Sequence, residues 1–285
     1  MSRLLPALTV CCVIAIGGTA YSMLSDSAAD RIGIPGKTTS AAKPVDEEAE
    51  LLAARHSCSS EAIDAIVQKL RREADEKPKD ARAARLLAHG LLDRVLQRNH
   101  LRGLAVGKPL YETLPAELLA DLDACALAIT RARELGDTSA ELFRLEAAMM
   151  SNRITGLGTA LQWNGRIQAA LAQAGELDPN DPHLQVALGL RKLLAPKLLG
   201  QDIDKALEHF EFAAKALQDD ERPAMFAAMA NFLQQKRQQA IAWLEQAAQR
   251  NPNNAFVRVV LARCKRGEEN PFGRDVTEAE VNRAK

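Results

Sequence analysis

The stretch AIAWLEQAAQRNP, residues 240–252, is the part of this chain that decides its fold class. Ala240 and Ala247 lie on one face of a helix because they are seven residues apart, and Leu244 stands between them. The small side chains let a second helix approach closely, and the leucine fills the space between the two contacts. Because Pro252 cannot continue the helix, it marks the turn that follows. This spacing predicts the second helix of a packed helix pair.

The same spacing recurs upstream, which predicts a stack of such pairs. The clearest copy covers residues 221–254 and departs from the pattern at Ala224 and Asn231. Three earlier second helices carry the small–large–small spacing at Ala206, Phe210 and Ala213, at Ile167, Leu171 and Ala174, and at Cys125, Ile129 and Ala132. An amphipathic helix over 61–76 precedes the stack, and a helix containing Leu261 and Ala262 closes it.

Several copies contain more residues than the spacing requires. Extra residues around 156–158 and 194–200 predict enlarged turns in two successive pairs, on one side of the stack. Residues 100–115 are irregular and rich in glycine and proline, which predicts a long loop. That loop is either a plain connector or an arm that docks elsewhere.

On these positions the body resembles the tetratricopeptide-repeat (TPR) superfamily over residues 61–266, most specifically in its C-terminal half. The resemblance implies an all-α fold, an α-solenoid of TPR-type helix hairpins with about four repeats plus a closing helix. The strings DPNDPHLQVALGL and DIDKALEHFEFAAKAL are similar to those of exported bacterial proteins with irregular repeats. The enlarged turns resemble those of the T-component proteins of TRAP transporters. The order of an apolar segment and then repeats is similar to that of eukaryotic regulators of microtubule dynamics.

The resemblance also implies a concave binding groove, lined by the first helix of each pair. The candidate groove residues are Arg82, Arg85, His89, Arg144, Asn152, His183, Arg222, Met225, Met229, Phe232 and Arg263. They run from a basic end to an apolar, methionine-containing end. Arginine suits carboxylates, including a peptide C-terminus, and methionine and phenylalanine form an adaptable apolar surface. A carboxylate-bearing peptide or acid is the predicted ligand; the alternative is that these arginines bridge helices or meet solvent.

The N-terminal segment differs from the body. Residues 4–25 carry no charge and are long enough to span a bilayer, while the small residues 17–20 are typical of a cleaved signal peptide. Arg3 before the segment, with Asp26 and Asp30 after it, predicts that the body is exported. The prediction is therefore a membrane-anchored protein with its body in the bacterial periplasm, or one secreted to the periplasm after signal cleavage.

These observations divide the chain into four parts. Residues 1–25 are the transmembrane anchor or signal peptide, 26–60 a flexible linker, 61–273 the TPR-like repeat domain, and 274–285 a polar tail. The linker ends in an acidic run, residues 46–50, which is either solvated linker or the start of a helix.

The composition and motifs exclude several function classes. Lys plus Arg equals Asp plus Glu, 37 each, so the chain offers no electrostatic case for nucleic-acid binding. No CxxC, HExxH or acidic metal loop occurs in the sequence, and we expect no enzymatic activity, no cofactor and no metal site. His89 and Asp93 are four residues apart, so the aspartate could orient the histidine. Cys58 and Cys125 form a disulfide in an oxidising compartment or remain buried free thiols.

The sequence favours a non-enzymatic protein-interaction scaffold at the cell envelope, which binds a protein or peptide segment in its groove. The alternative is a periplasmic small-molecule-binding accessory of a transporter, as the TRAP T-component resemblance implies. That alternative predicts a closed pocket roofed by the enlarged turns at 151–160 and 194–201, whereas the scaffold predicts an open groove.

Overall fold

The structure, a computed structural model, describes residues 47–106 and 108–284, without the side chain of Leu198. In this part of the chain the backbone is helical and forms no strand. The helices are α1 (Glu47–His56), α2 (Ser60–Glu76), α3 (Ala81–Arg98), α4 (Ala116–Glu134), α5 (Ala140–Ser151), α6 (Leu157–Leu177), α7 (Pro182–Leu194), α8 (Ile203–Ala216), α9 (Arg222–Leu233), α10 (Arg237–Arg250), α11 (Ala255–Lys265) and α12 (Glu278–Arg283), with a 3₁₀ turn at Lys197–Leu199.

Successive helices pack as antiparallel pairs, and each pair packs on the next. α3 packs on α4, α5 on α6, α7 on α8 and α9 on α10, while α11 closes the stack against α10. The predicted all-α stack of helix hairpins is confirmed. α2 leads into the stack by packing on α3, as the sequence indicated.

The decisive stretch forms α10, and its three predicted contact residues are buried. Ala240, Leu244 and Ala247 each expose 0% of their surface. The backbone N–H of Asn251 donates to the carbonyl of Ala247 and ends the helix one residue before Pro252. Small residues meet large ones between the helices because only such pairs allow the close approach that buries both faces.

The two predicted enlarged turns have different outcomes. The extra residues near 157 extend α6, which is 21 residues long and starts at Leu157, so the turn before it is short. Gly158 and Gly165 are accepted in this helix on its exposed side, where a Cβ would meet nothing within 4 Å. The second enlarged turn is present between Leu194 and α8, and Gly200 adopts the left-handed conformation there, with φ of 90°.

The structure replaces the second half of the predicted linker with helices. α1 occupies residues 47–56, and α2 starts at Ser60. α1 forms because Leu51 is buried, with 2% of its surface exposed, and because acidic residues fill its first turn and basic residues its last. The remaining linker residues, 26–46, lie outside the described residues.

The predicted polar tail is also partly ordered. Thr277 caps α12 by accepting from the N–H of Glu280, whose carboxylate is turned inward with 6% of its surface exposed. The segment before α12 packs on the irregular loop that follows α3. The N–H of Leu104 donates to the carbonyl of Phe272, and the N–H of Val276 donates to that of Leu101, each at 2.8 Å.

We call residues 99–106 the crossing segment, because they join the first part of the stack to its last. In addition to the backbone hydrogen bonds, Arg102 lies 2.6 Å from Asp275. A side chain at Gly103 would lie within 2.6 Å of the backbone of Arg274, so only glycine allows this close approach. The loop is therefore a docking arm within the chain rather than a plain connector.

The predicted membrane segment, residues 4–25, lies outside the described residues. Among the helices in the part of the chain that the structure describes, none has the length and apolar character needed to cross a membrane.

Candidate functional site

The first helices α3, α5, α7 and α9 bring most of the predicted basic residues together. Arg85 on α3 lies 2.5 Å from Asp137, just before α5, and 2.9 Å from Glu141 on α5. Arg144, one turn further along α5, lies 3.4 Å from Asp181, which caps α7. The cations of one first helix thus meet the acids at the start of the next.

His89 stands between two carboxylates on this surface. Its Nδ1 lies 3.0 Å from Glu141, and its Nε2 lies 3.7 Å from Asp93. Burial opposes the ionisation of Glu141, but His89, Arg144 and Arg85 outweigh it and lower the pKa of this carboxyl to about 2. Glu141 is therefore an anion that holds the cations of α3 and α5 together.

Arg222 and His183 continue the surface onto α7 and α9. Arg222 lies 2.6 Å from Asp220, which is 4% exposed. Burial opposes the ionisation of Asp220, but Arg222 holds the pKa of its carboxyl well below its usual range. Burial, with the positive charges of Arg144 and Arg222, lowers the pKa of His183 to about 4. His183 is therefore neutral at neutral pH.

The last cation comes from α1. Arg55 lies 3.8 Å from Asp93 on α3 and 3.6 Å from Asp220 before α9, so it joins the two ends of the surface. Next to it, the carbonyl of His56 accepts from Asn253 at 3.3 Å. The inner charged cluster is Arg55, Arg85, His89, Asp93, Glu141, Arg144, Asp181, His183, Asp220 and Arg222. The side chains of Arg55, His89, Arg144 and Arg222 remain 15–25% exposed.

Two predicted residues lie apart from the inner charged cluster. Arg82 is 47% exposed and contacts Glu47 and Glu48 on α1, at 2.7 and 3.3 Å. Asn152 ends α5, where its side-chain amide donates to the carbonyl of Ala148. Arg82 therefore belongs to the margin next to α1, and Asn152 holds its own helix end.

The predicted apolar end is covered by the chain itself. Met225 and Met229 are 9% and 2% exposed, and the ring of Phe232 lies 5.8 Å from that of Phe272. Leucine and valine side chains of the crossing segment pack against the same core. These residues form part of an apolar core that the C-terminal segment completes.

Arg263 lies beneath this C-terminal segment, with 0% of its surface exposed. It lies 2.7 Å from the carboxylate of Glu280 and donates to the carbonyls of Pro271, Arg274 and Asp275 at 2.9–3.0 Å. All these bonds are internal, so Arg263 fixes the C-terminal segment in place.

Two solved structures resemble this one over most of its length. TTC0263, a thermophilic TPR protein in Thermus thermophilus, superimposes with a TM-score of 0.54 at 17% identity, over 77% of this chain and 98% of that one. The Cut9–Hcn1 hetero-tetramer of the APC/C gives a TM-score of 0.52 at 14% identity, over 84% of this chain and 42% of that one. No protein-family model matches the sequence, and no curated protein resembles it in sequence. The fold is a tetratricopeptide-type α-solenoid.

Sequence reasoning missed the part of this TPR-type solenoid that comes from its ends. Arg55 lies in the predicted linker, and Asp220, Glu221 and Asn253 lie in turns before first helices. One usable signal was present. The acidic first turn, the leucine and the basic last turn over 47–56 are a helix pattern.

Two pockets of the solenoid lie away from the enlarged turns. One, of about 350 Å³, is lined by Ala49, Leu52, Ala53, His56, Asp219 and Arg250. The other, of about 590 Å³, is formed by residues 77–82. Neither contains a residue of 151–160 or 194–201, so neither is the roofed pocket that the small-molecule alternative predicts.

The three cysteines of the described residues are free thiols, so the predicted Cys58–Cys125 disulfide is not formed. Cys125 is buried against α3, where its thiol donates to the carbonyl of Ala88. Burial raises the pKa of Cys58 to about 11 and that of Cys125 to about 12. Both thiols are therefore protonated at neutral pH and poor nucleophiles.

Proposed function

We propose that this protein is a non-enzymatic interaction scaffold that binds a protein or peptide segment on the inner face of its solenoid. The observation that carries the proposal is the inner charged cluster. Four successive first helices and α1 contribute to it, and its cations are still partly exposed. Repeat solenoids present such faces to partners because each helix pair adds one strip to a continuous surface.

The proposed ligand group is a carboxylate, either a side chain of the segment or its C-terminus. Arg85 and Arg144 each contact two carboxylates of the chain, through Nη1 and Nε of Arg85 and through Nε and Nη2 of Arg144. A guanidinium has five N–H donors in a fixed planar arrangement, so each arginine retains donors for a further carboxylate. Both guanidinium groups keep 15–18% of their side-chain surface exposed.

A peptide-display selection on the full-length protein tests the proposal. We expect enrichment of sequences that carry Asp, Glu or a free C-terminus, and we expect the variant R82Q/R85Q/R144Q to lose it. The matched control is R71Q/R72Q/R166Q, which removes three exposed arginines of α2 and α6 outside the cluster. Circular dichroism verifies that both variants keep their helices. Enrichment that survives in the first variant, or that never occurs with wild type, would refute the proposal.

The proposal includes a location at the cell envelope, with the body exported. It is motivated by the uncharged segment 4–25 and the charges on either side of it. Fractionation of the full-length protein in bacterial cells tests it, together with protease treatment of spheroplasts. Carbonate-resistant membrane association indicates an anchor, and a mature product beginning near residue 21 indicates a cleaved signal. A body that stays protected inside spheroplasts would contradict export.

A further inference from the structure

Helix α1 lies along α3 with complementary charges at both ends. The carboxylates of Glu47 and Glu48 contact the guanidinium of Arg82, near the start of α3. At the other end, Arg55 lies 3.8 Å from Asp93, about three turns further along α3. α1 therefore runs parallel to α3, with its acidic end on an arginine and its basic end on an aspartate.

A single leucine anchors α1 between these charges. Within α1, Leu51 is the one buried residue, and it packs with Ile63, Leu70 and Leu86 of α2 and α3. Its Cδ1 lies 3.8 Å from the position of a Cβ at Gly90, so the absence of a side chain on Gly90 leaves the space that the leucine fills. The site on α3 is thus an apolar pocket with a cation at one side and an anion at the other.

The remaining contacts of α1 are polar and partly open to solvent. Arg82 and Glu48 are 47% and 58% exposed, and ion pairs between exposed groups are weak and screened by salt. An isolated helix of ten residues is only marginally stable in water. α1 is therefore the helix that can leave the solenoid at the lowest free energy, while the pairs from α3 onward keep their apolar contacts.

We propose that α1 occupies, within its own chain, a binding site for a partner helix, and that its release opens this site. The partner is an amphipathic helix of another protein with the charge order of α1. It carries an acidic residue in its first turn, a leucine four residues later and an arginine four residues after that. This inference rests on the proposed scaffold function and names the partner of the same inner face. Charge complementarity with Arg82 and Asp93 argues for this occupant, because α1 itself satisfies both.

Binding of a labelled peptide with the sequence of residues 47–57, EEAELLAARHS, tests the proposal. The full-length wild type is compared with the variant L51A/R55A, whose own α1 loses its anchor and its basic contact. The apparent affinity of an occupied site is reduced by the fraction of molecules in which it is free. We therefore expect the variant to bind the peptide at least tenfold more tightly than wild type, by fluorescence anisotropy.

Two controls make this result specific. The variant L52A changes the neighbouring leucine, which is 36% exposed, and we expect it to bind the peptide like wild type. A peptide with its glutamates and arginine exchanged should bind neither protein. Equal affinity of wild type and L51A/R55A, or equal binding of the exchanged peptide, overturns the proposal.

Hydrogen exchange in wild type gives a second test that does not depend on the variant folding. We expect the amides of α1 to exchange at least tenfold faster than those of α3, and faster still at high salt. Equal protection of α1 and α3 overturns the proposal. A wild-type dimer that exchanges α1 between chains, detected by light scattering, would assign the site to a second copy instead.

The outcome is distinguishable from that of the display selection. If L51A/R55A binds the peptide but the selection yields nothing carboxylate-dependent, the helix site stands and the carboxylate proposal fails. If wild type captures carboxylate peptides while its α1 stays protected from exchange, the scaffold stands and the helix site fails.

Discussion

Replacing Gly189 with alanine tests the close approach of paired helices directly. A Cβ at Gly189 on α7 would lie 2.5 Å from Cε1 of Phe210 and 2.9 Å from two further ring atoms. The ring cannot move aside easily, because Phe210 is 0% exposed and packs 5.5 Å from the ring of Phe226. Overpacking of this kind costs about 1–3 kcal/mol, and the higher helix propensity of alanine offsets up to about 1 kcal/mol. We expect a net loss of about 1–2 kcal/mol in the free energy of unfolding.

The matched control is Gly165→Ala, the same change within helix α6. A Cβ there meets nothing within 4 Å, so this variant should be more stable than wild type by up to about 1 kcal/mol. Urea denaturation followed by circular dichroism measures both. In the background F210L, where a smaller side chain leaves room, the cost of Gly189→Ala should fall by about 1 kcal/mol or more. If Gly189→Ala is as stable as Gly165→Ala, or if F210L does not change its cost, α7 and α8 do not approach as described.

Three further predictions concern the ends and the inner face. Arg263→Ala should lower the free energy of unfolding by about 3 kcal/mol or more, because it leaves the carboxylate of Glu280 without its buried partner. Arg274→Ala, which removes a 48%-exposed partner, should cost less than about 1 kcal/mol in the same denaturation. The lowered pKa of His183, about 4 against 6.5, means that the folded protein binds this proton less readily than the unfolded chain. Its contribution to stability is complete above pH 6.5 and lost towards pH 4, so His183→Gln should flatten the fall in melting temperature over that range. Gly103→Ala should detach the crossing segment, seen as faster hydrogen exchange of its amides, because the new Cβ would meet the backbone of Arg274.

The helix pairs were predictable because their signals are local. In a solenoid each pair contacts only its neighbours, so the residues that fix the packing are close in sequence. Ala240, Leu244 and Ala247 illustrate this, since their spacing alone indicates the buried face of α10. The extra residues near 157 were harder to assign. Added residues can lengthen a turn or a helix, and Gly158 within them favoured a turn; only the exposed setting of α6 lets the helix accept that glycine.

The meeting of the two ends was not predictable from spacing. Arg102 and Asp275 are 173 residues apart, and His56 and Asn253 are 197 apart. Contacts over such separations depend on the curvature that several small rotations between pairs add up to. No local pattern encodes that sum, so neither the crossing segment nor the position of α1 follows from the sequence.

The candidate site was predictable in position but not in its state of charge. Arg85, Arg144 and Arg222 lie on first helices, as their repeat positions implied. Their acidic partners Asp137 and Asp220 lie just before helices, outside the positions that define a groove. Counting groove positions alone therefore predicts a basic surface, whereas the folded chain has a cluster in which acids accompany every cation.

The contacts that join the ends differ in kind, and this difference decides which one opens first. The crossing segment contributes leucine and valine side chains to the C-terminal apolar core, and Gly103 fits closely against a backbone. α1 reaches the C-terminal pairs through polar contacts only at Arg55, His56 and Cys58, among the contacts the structure describes there. Apolar contacts resist salt, whereas ion pairs between partly exposed groups weaken as it rises. The inner face is therefore opened from the N-terminal side, by release of α1, while the crossing segment holds the two ends of the solenoid together.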